Sequence, residues 1–149
     1  MKFFQFQVLL AVMIISEVIL SACSTPQSNE HSIKLAPLSE MPNSVKISPE
    51  TVRESYQFAV SNPEILKNIP CYCGCGPMGH TSNYSCYIQS VDDTGIIFDE
   101  HALGCSICVD ITTDTMHMLK EGKSVKEIRV LVDQRYSPFG PSNMEPLVE

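Results

Sequence analysis

The run Pro70-Cys71-Tyr72-Cys73-Gly74-Cys75-Gly76 constrains this chain more than any other stretch. Three cysteines stand at every second position, set between proline and glycine. In an extended segment alternate side chains share a face. In a tight loop, glycine lets the backbone turn until sulfurs converge. Either geometry brings three sulfurs within reach of one site. Cysteines two positions apart bridge each other in a disulfide only with strain, so the triple argues for metal ligation. Cys86, Cys105 and Cys108 complete a set of six, and most of the remaining sequence reads as a small scaffold that gathers them.

A chain of 149 residues with a net charge of −7 is sized for one domain. It lacks the basic footprint that nucleic-acid binding needs. It has no glycine-rich phosphate loop, nucleophile elbow or Ser/His/Asp set. Asp92-Asp93 and Asp99-Glu100 read as solvated turns rather than as a catalytic carboxylate pair. Nothing here makes an enzyme the default.

The seventh cysteine belongs to the N-terminus. Lys2 precedes an apolar stretch from Phe3 to Leu20, which leads into Leu20-Ser21-Ala22-Cys23. A charged start, an apolar run and small residues before a cleavage point form a secretory signal. The small residues directly before Cys23 resemble the lipobox of bacterial lipoproteins. That resemblance implies cleavage after residue 22 and a lipid on Cys23. The other reading is a retained transmembrane helix, but Glu17 interrupts the run, and charge near a bilayer centre is costly. Both readings place the domain outside the cytoplasm, tethered to the cell membrane, where thiols face an oxidising compartment.

Residues 23–47 read as a flexible, lipid-anchored linker. They are polar, and Pro26, Pro37 and Pro42 discourage regular structure. His31 and Met41 look like bystanders. Ser48-Pro49-Glu50 should open a helix, with Val52, Tyr56, Ala59 and Val60 on its apolar face. Asn62-Pro63 ends it, and a short turn over residues 63–67 follows. The prolines and glycines between Ile69 and Gly79 dictate a wrapped loop. Tyr84 to Val91 suits a short helix or strand, residues 92–95 a turn, and Ile96 to Phe98 a brief strand. A second long helix should start near Gly104-Cys105, with Cys108, Ile111, Thr115, Met118 and Leu119 on one face. Gly122 is placed to end it. Ser124 and Glu127 match a capping box for a third helix, carrying Val125, Ile128, Leu131 and Val132. Ser137-Pro138 closes it. The expectation is a mostly α domain over residues 48–140, with about three main helices, a cysteine-rich loop and a loose tail over 141–149.

Cys105 and Cys108 form a CxxC at a helix start, where the dipole and free N–H groups favour thiolate. The motif serves a metal site or a redox pair, but no βαβ pattern surrounds it. Cys86 is a ligand, a disulfide partner or a buried hydrophobe. His80 and His101 flank the cysteine groups as ligands or outer hydrogen-bonding partners. Met78 offers a weaker thioether, and His117 reads as a surface residue. Thiolates and thioethers select Cu(I), Zn(II) or iron–sulfur clusters. Six sulfurs are too many for one zinc ion, and the compartment disfavours cluster assembly. Copper as Cu(I) is therefore the first expectation and zinc the second.

The run from Pro70 to Gly76 resembles the signature of bacterial PCYCGC-motif lipoproteins, a family of uncharacterised function. The likeness extends from Tyr56 through Pro63-Glu64 and the signature. It continues through Gly79-His80, Ser82-Asn83, Cys86, the segment from His101 to Cys108, and Ile128-Arg129. It implies a lipobox and supplies no enzymatic activity. The first reading of function is thus a membrane-anchored protein that binds a soft metal for sequestration, transfer or sensing, with a metal-exchange protein as a partner. The alternatives are a thiol–disulfide oxidoreductase using Cys105 and Cys108, or a module stapled by disulfides.

Overall fold

The computed structural model describes residues 33–147. The expected signal peptide, Cys23, the first part of the expected linker and His31 lie outside them. Six helices occur among the described residues: α1 (Asn43–Lys46), α2 (Glu50–Ser61), α3 (Pro63–Leu66), α4 (His101–Gly104), α5 (Ser106–Lys120) and α6 (Val125–Tyr136). A hairpin of β1 (Ile88–Asp92) and β2 (Gly95–Phe98) separates the first three from the last three. This is the mostly helical fold expected, with three main helices and a cysteine-rich loop. None of the described helices is long and apolar enough to cross a membrane.

Helix α5 is the hub. It packs against α2, α4, α6 and the 3-10 turn at Asn83–Cys86. Its buried stripe of Cys108, Ile111, Thr112, Thr115 and Leu119 repeats at helical spacing. Tyr56 and Phe58 from α2, Tyr87 beside β1, and Ile128 and Val132 from α6 close the core around it. The rings of Tyr56 and Tyr87 meet edge to face, with centroids 4.9 Å apart. The α5 C-terminus is a Schellman motif. The N–H of Gly122 donates to Leu119 O, and that of Lys123 donates to Met118 O. Gly122 takes the left-handed φ of 80° that this ending demands. Both hydrogen bonds of the Ser124–Glu127 capping box are present. On α6, Ile128 and Val132 are buried, whereas Leu131 is exposed.

Two segments expected to be loose are packed. Ala36, Met41 and Val45 lie in the core, so residues 33–47 are not tether, and Met41 is no bystander. The polarity of this stretch hid its spaced apolar residues. Its backbone is also satisfied by side chains from α2 and its C-cap. Gln57 Nε2 donates to Ala36 O at 2.6 Å, and Asn62 Nδ2 donates to Lys34 O at 2.8 Å. Pro37 and Pro42 open short helical turns rather than preventing structure. Residues 141–147 likewise run back over the cysteine loop. Asn143 both donates to Cys71 O, through its N–H, and accepts the Cys71 N–H on Oδ1. A Cβ on Gly140 would lie 2.8 Å from Tyr72 O, so only glycine permits this approach.

The hairpin has a positional role. It pairs Ile88 with Phe98 and Asp92 with Gly95, and it is mostly exposed. Its return sets Asp99 N–H on Tyr87 O at 2.8 Å. Residues 99–101 thereby come to lie beside Cys86.

Tyrosines tie these elements together through their hydroxyls. Burial, with the Asp99 carboxylate behind it, pushes Tyr56 upward. Burial pushes Tyr87 upward as well, and burial with the Asp133 hydrogen bond raises Tyr72 to about 12. A pKa raised on folding leaves its stabilisation intact below the unfolded value of 10.0 and removes it as pH climbs through the folded value. Unfolding should therefore set in above pH 10 and advance through 12. Tyrosinate absorbance should rise together with the loss of helical circular dichroism. Absorbance that titrates fully near pH 10 with the helices intact would contradict this.

Candidate metal centre

The loop from Pro70 delivers its sulfurs inward because its backbone is held at both ends. Asn143 clamps Cys71, and the N–H of Asn83 donates to Ile69 O at 2.8 Å. Gly74, at φ 78°, makes the turn between Cys73 and Cys75. Cys86 ends the 3-10 turn at Asn83–Cys86. Cys108 sits in the first turn of α5, and its carbonyl is anchored in the core. Tyr87 OH donates to it at 2.9 Å and Asn83 Nδ2 at 3.2 Å, and Thr112 Oγ1 lies 3.1 Å from it. Thr112 Oγ1 lies 2.7 Å from Asn83 Oδ1. This network welds the turn carrying Cys86 to the helix carrying Cys108.

The sulfurs of Cys71, Cys73 and Cys108 form a triangle with edges of 3.4, 3.5 and 3.6 Å. A disulfide would need about 2.05 Å. Tetrahedral ligands bound at about 2.3 Å lie about 3.8 Å apart, so the triangle has the scale of a coordination site. Cys75 and Cys86 stand 3.9 Å apart, and His101 Nε2 lies 3.3 Å from Cys73 Sγ. Three overlapping groups each have ligand atoms within 4.8 Å of one another. They are Cys71, Cys73, Cys75 and Cys86; Cys73, Cys86, His101 and Cys108; and Cys75, His80, Cys86 and His101. Five sulfurs and two imidazoles thus share one cluster. Cys73 and His101 are its half-buried members; the others are buried.

The thiols compete for protons. Hydrogen bonds from Cys108, Cys75 and Cys86 favour the Cys71 thiolate and pull its pKa below the ordinary thiol range. The same contacts act in the opposite sense on the donors. Bonding to Cys71 pushes Cys108 and Cys75 up. Bonding to Cys108 and Cys71 pushes Cys86 up, and burial pushes Cys73 up. The thiol contacts therefore favour ionisation at Cys71 over its neighbours. A bound cation would stabilise the further thiolates and release their protons.

Two expected ligands, Cys105 and Met78, stand apart. Cys105 is half-buried at the N-cap of α5 and belongs to none of the three groups. The chain is extended there, with φ −119° and ψ 99°, so the CxxC pair divides between the helix cap and the cluster. Met78 is 63% exposed on the turn at Gly76–Met78. His117 is exposed on α5. Asp99, expected as a solvated turn residue, is instead half-buried. Its Oδ2 lies 3.4 Å from His80 Nε2, its Oδ1 accepts the His101 N–H at 2.8 Å, and its carbonyl accepts Tyr56 OH at 2.7 Å. Asn83, Thr112 and Asn143 carry no metal-ligand chemistry, and of the three only Asn83 is marked in the sequence, as part of the family likeness. Their role arises from contacts between segments distant in sequence.

Fold and site together define a small, mostly helical, cysteine-rich protein whose clustered side chains can hold a metal ion. The chain belongs to the family described as "Protein of unknown function with PCYCGC motif", whose model matches residues 12–145. Comparison with curated proteins gave no match, and neither did comparison with solved structures.

Proposed function

We propose that this protein is an extracytoplasmic lipoprotein, anchored to the cell membrane through a lipid on Cys23, that binds Cu(I) in its cysteine cluster for sequestration, transfer or sensing. The observation that carries the metal reading is the triangle of Cys71, Cys73 and Cys108, with edges of 3.4–3.6 Å. Three buried or half-buried thiols at that spacing suit a soft, low-coordinate ion, and thiolate-rich sites favour Cu(I). Zinc is the second candidate, because thiolate and imidazole donors also suit it. The anchor rests on Lys2, the apolar run and Leu20-Ser21-Ala22-Cys23. Cys73 and His101 form the half-buried edge where a metal-exchange protein would meet the ion.

The test is elemental analysis with a thiol count on the full chain, purified in detergent without added metal or reductant. At least one equivalent of copper is expected, with thiols that react only after a chelator is added. Zinc at that stoichiometry would replace copper in the proposal. Absence of both metal and reactive thiols would overturn it in favour of a disulfide-stapled module.

A further inference from the structure

Seven donors exceed the three or four that one soft ion takes. They can be divided between two ions. The tight triangle of Cys71, Cys73 and Cys108, with His101 against Cys73, accounts for one ion. Cys75, Cys86 and His80 remain.

His80 supplies the independent observation. The residue is 7% exposed, and its Nε2 faces the Asp99 carboxylate at 3.4 Å. Its Nδ1 is buried without any hydrogen-bond partner. A buried nitrogen left unpaired costs about 1–3 kcal/mol, so such an atom calls for an explanation. A carboxylate behind one ring nitrogen holds the proton there and frees the other as a ligand, the usual arrangement of metal-bound histidine. His80 also shares the 4.8 Å group with Cys75, Cys86 and His101. Cys75 is further supported from outside, with Asn143 Nδ2 donating to its sulfur at 3.7 Å.

Resting on the metal-binding reading above, we infer that the cluster is a two-ion centre. A second soft ion sits on Cys75 Sγ, Cys86 Sγ and His80 Nδ1, with Asp99 as the orienting carboxylate. Cys73, Cys75, Cys86 and His101 each belong to more than one ligand group, so the two ions are close enough to share donors. The halves are unequal. The first is sulfur-rich and opens at Cys73 and His101. The second has mixed sulfur and nitrogen ligands and is buried.

Anaerobic titration of the reduced full chain with Cu(I), against a chromophoric chelator, tests this. Wild type should take up two equivalents, and His80→Ala one. Asp99→Asn retains an oxygen for the His101 N–H, so it guards against a folding failure in His80→Ala. It should weaken the second equivalent about 10–100-fold and leave the first unchanged. Circular dichroism confirms the fold of each variant. Saturation of wild type at one equivalent would overturn the second ion alone. So would two equivalents of unaltered strength in both variants. A wild type that takes up no copper would overturn the metal-binding reading and this inference with it.

Discussion

Replacing Cys108 with serine should lower soft-metal affinity by at least about 100-fold, beyond the loss caused by removing an outer-shell partner. Cys108 Sγ is one corner of the triangle, 3.5 Å from Cys71 and 3.6 Å from Cys73. A hydroxyl has the wrong softness for an ion that selects thiolate. The thermal stabilisation that the triangle's ion confers should vanish as well. A site held at a hundredfold excess of metal over Kd contributes about 2.7 kcal/mol. Cys105→Ser is the matched control. It lies three residues away in the same CxxC but outside every ligand group, so its affinity should fall far less than that of Cys108→Ser. Competition titration and melting with and without metal would read both variants. Equal losses from the two substitutions would show that the CxxC acts as a pair, and the redox reading would regain ground.

Asn83→Ala should destabilise the domain by about 3 kcal/mol, although the residue carries no metal-ligand chemistry. Asn83 is fully buried. Its side chain donates to Cys108 O and accepts from Thr112 Oγ1 at 2.7 Å. Each lost buried hydrogen bond costs about 1 kcal/mol, and the under-satisfied partners and the vacated volume add to it. Tyr87 and Thr112 still hold the Cys108 carbonyl, which keeps the loss below that of a collapsed network. Because Asn83 joins the Cys86 turn to α5, metal affinity should also fall, by less than in Cys108→Ser. Urea unfolding of the metal-free protein separates the two effects. A loss under about 0.5 kcal/mol would place Asn83 among ordinary surface positions and remove it from the account.

Local chemistry was legible wherever a few neighbouring residues settle the outcome. Ser124 and Glu127 cap α6 because both partners lie within one turn. Gly122 ends α5 because the left-handed conformation is a property of that residue. Misreadings arose where the deciding partner lay far along the chain. Residues 33–47 looked like tether because Gln57 and Asn62, which satisfy their backbone, belong to a later helix and its C-cap. The tail looked loose because its anchor is the Cys71 backbone, 72 positions earlier. Asp99 looked solvated because His80 meets it only after the hairpin turns back.

By itself, the sequence determined the helical class, the helix ends and the chemical softness of the site. Those follow from side-chain type, short-range spacing and the conformations that proline and glycine allow or forbid. Only the tertiary structure decided which donors meet. It brought Cys71, Cys73, Cys75, Cys86 and Cys108 together with His80 and His101, and it left Cys105 at a helix cap and Met78 exposed on a turn. The physical reason is that ligation depends on separations of a few ångströms between segments tens of residues apart. Those separations are set by how α5, the 3-10 turn and the hairpin pack, and no local pattern encodes them.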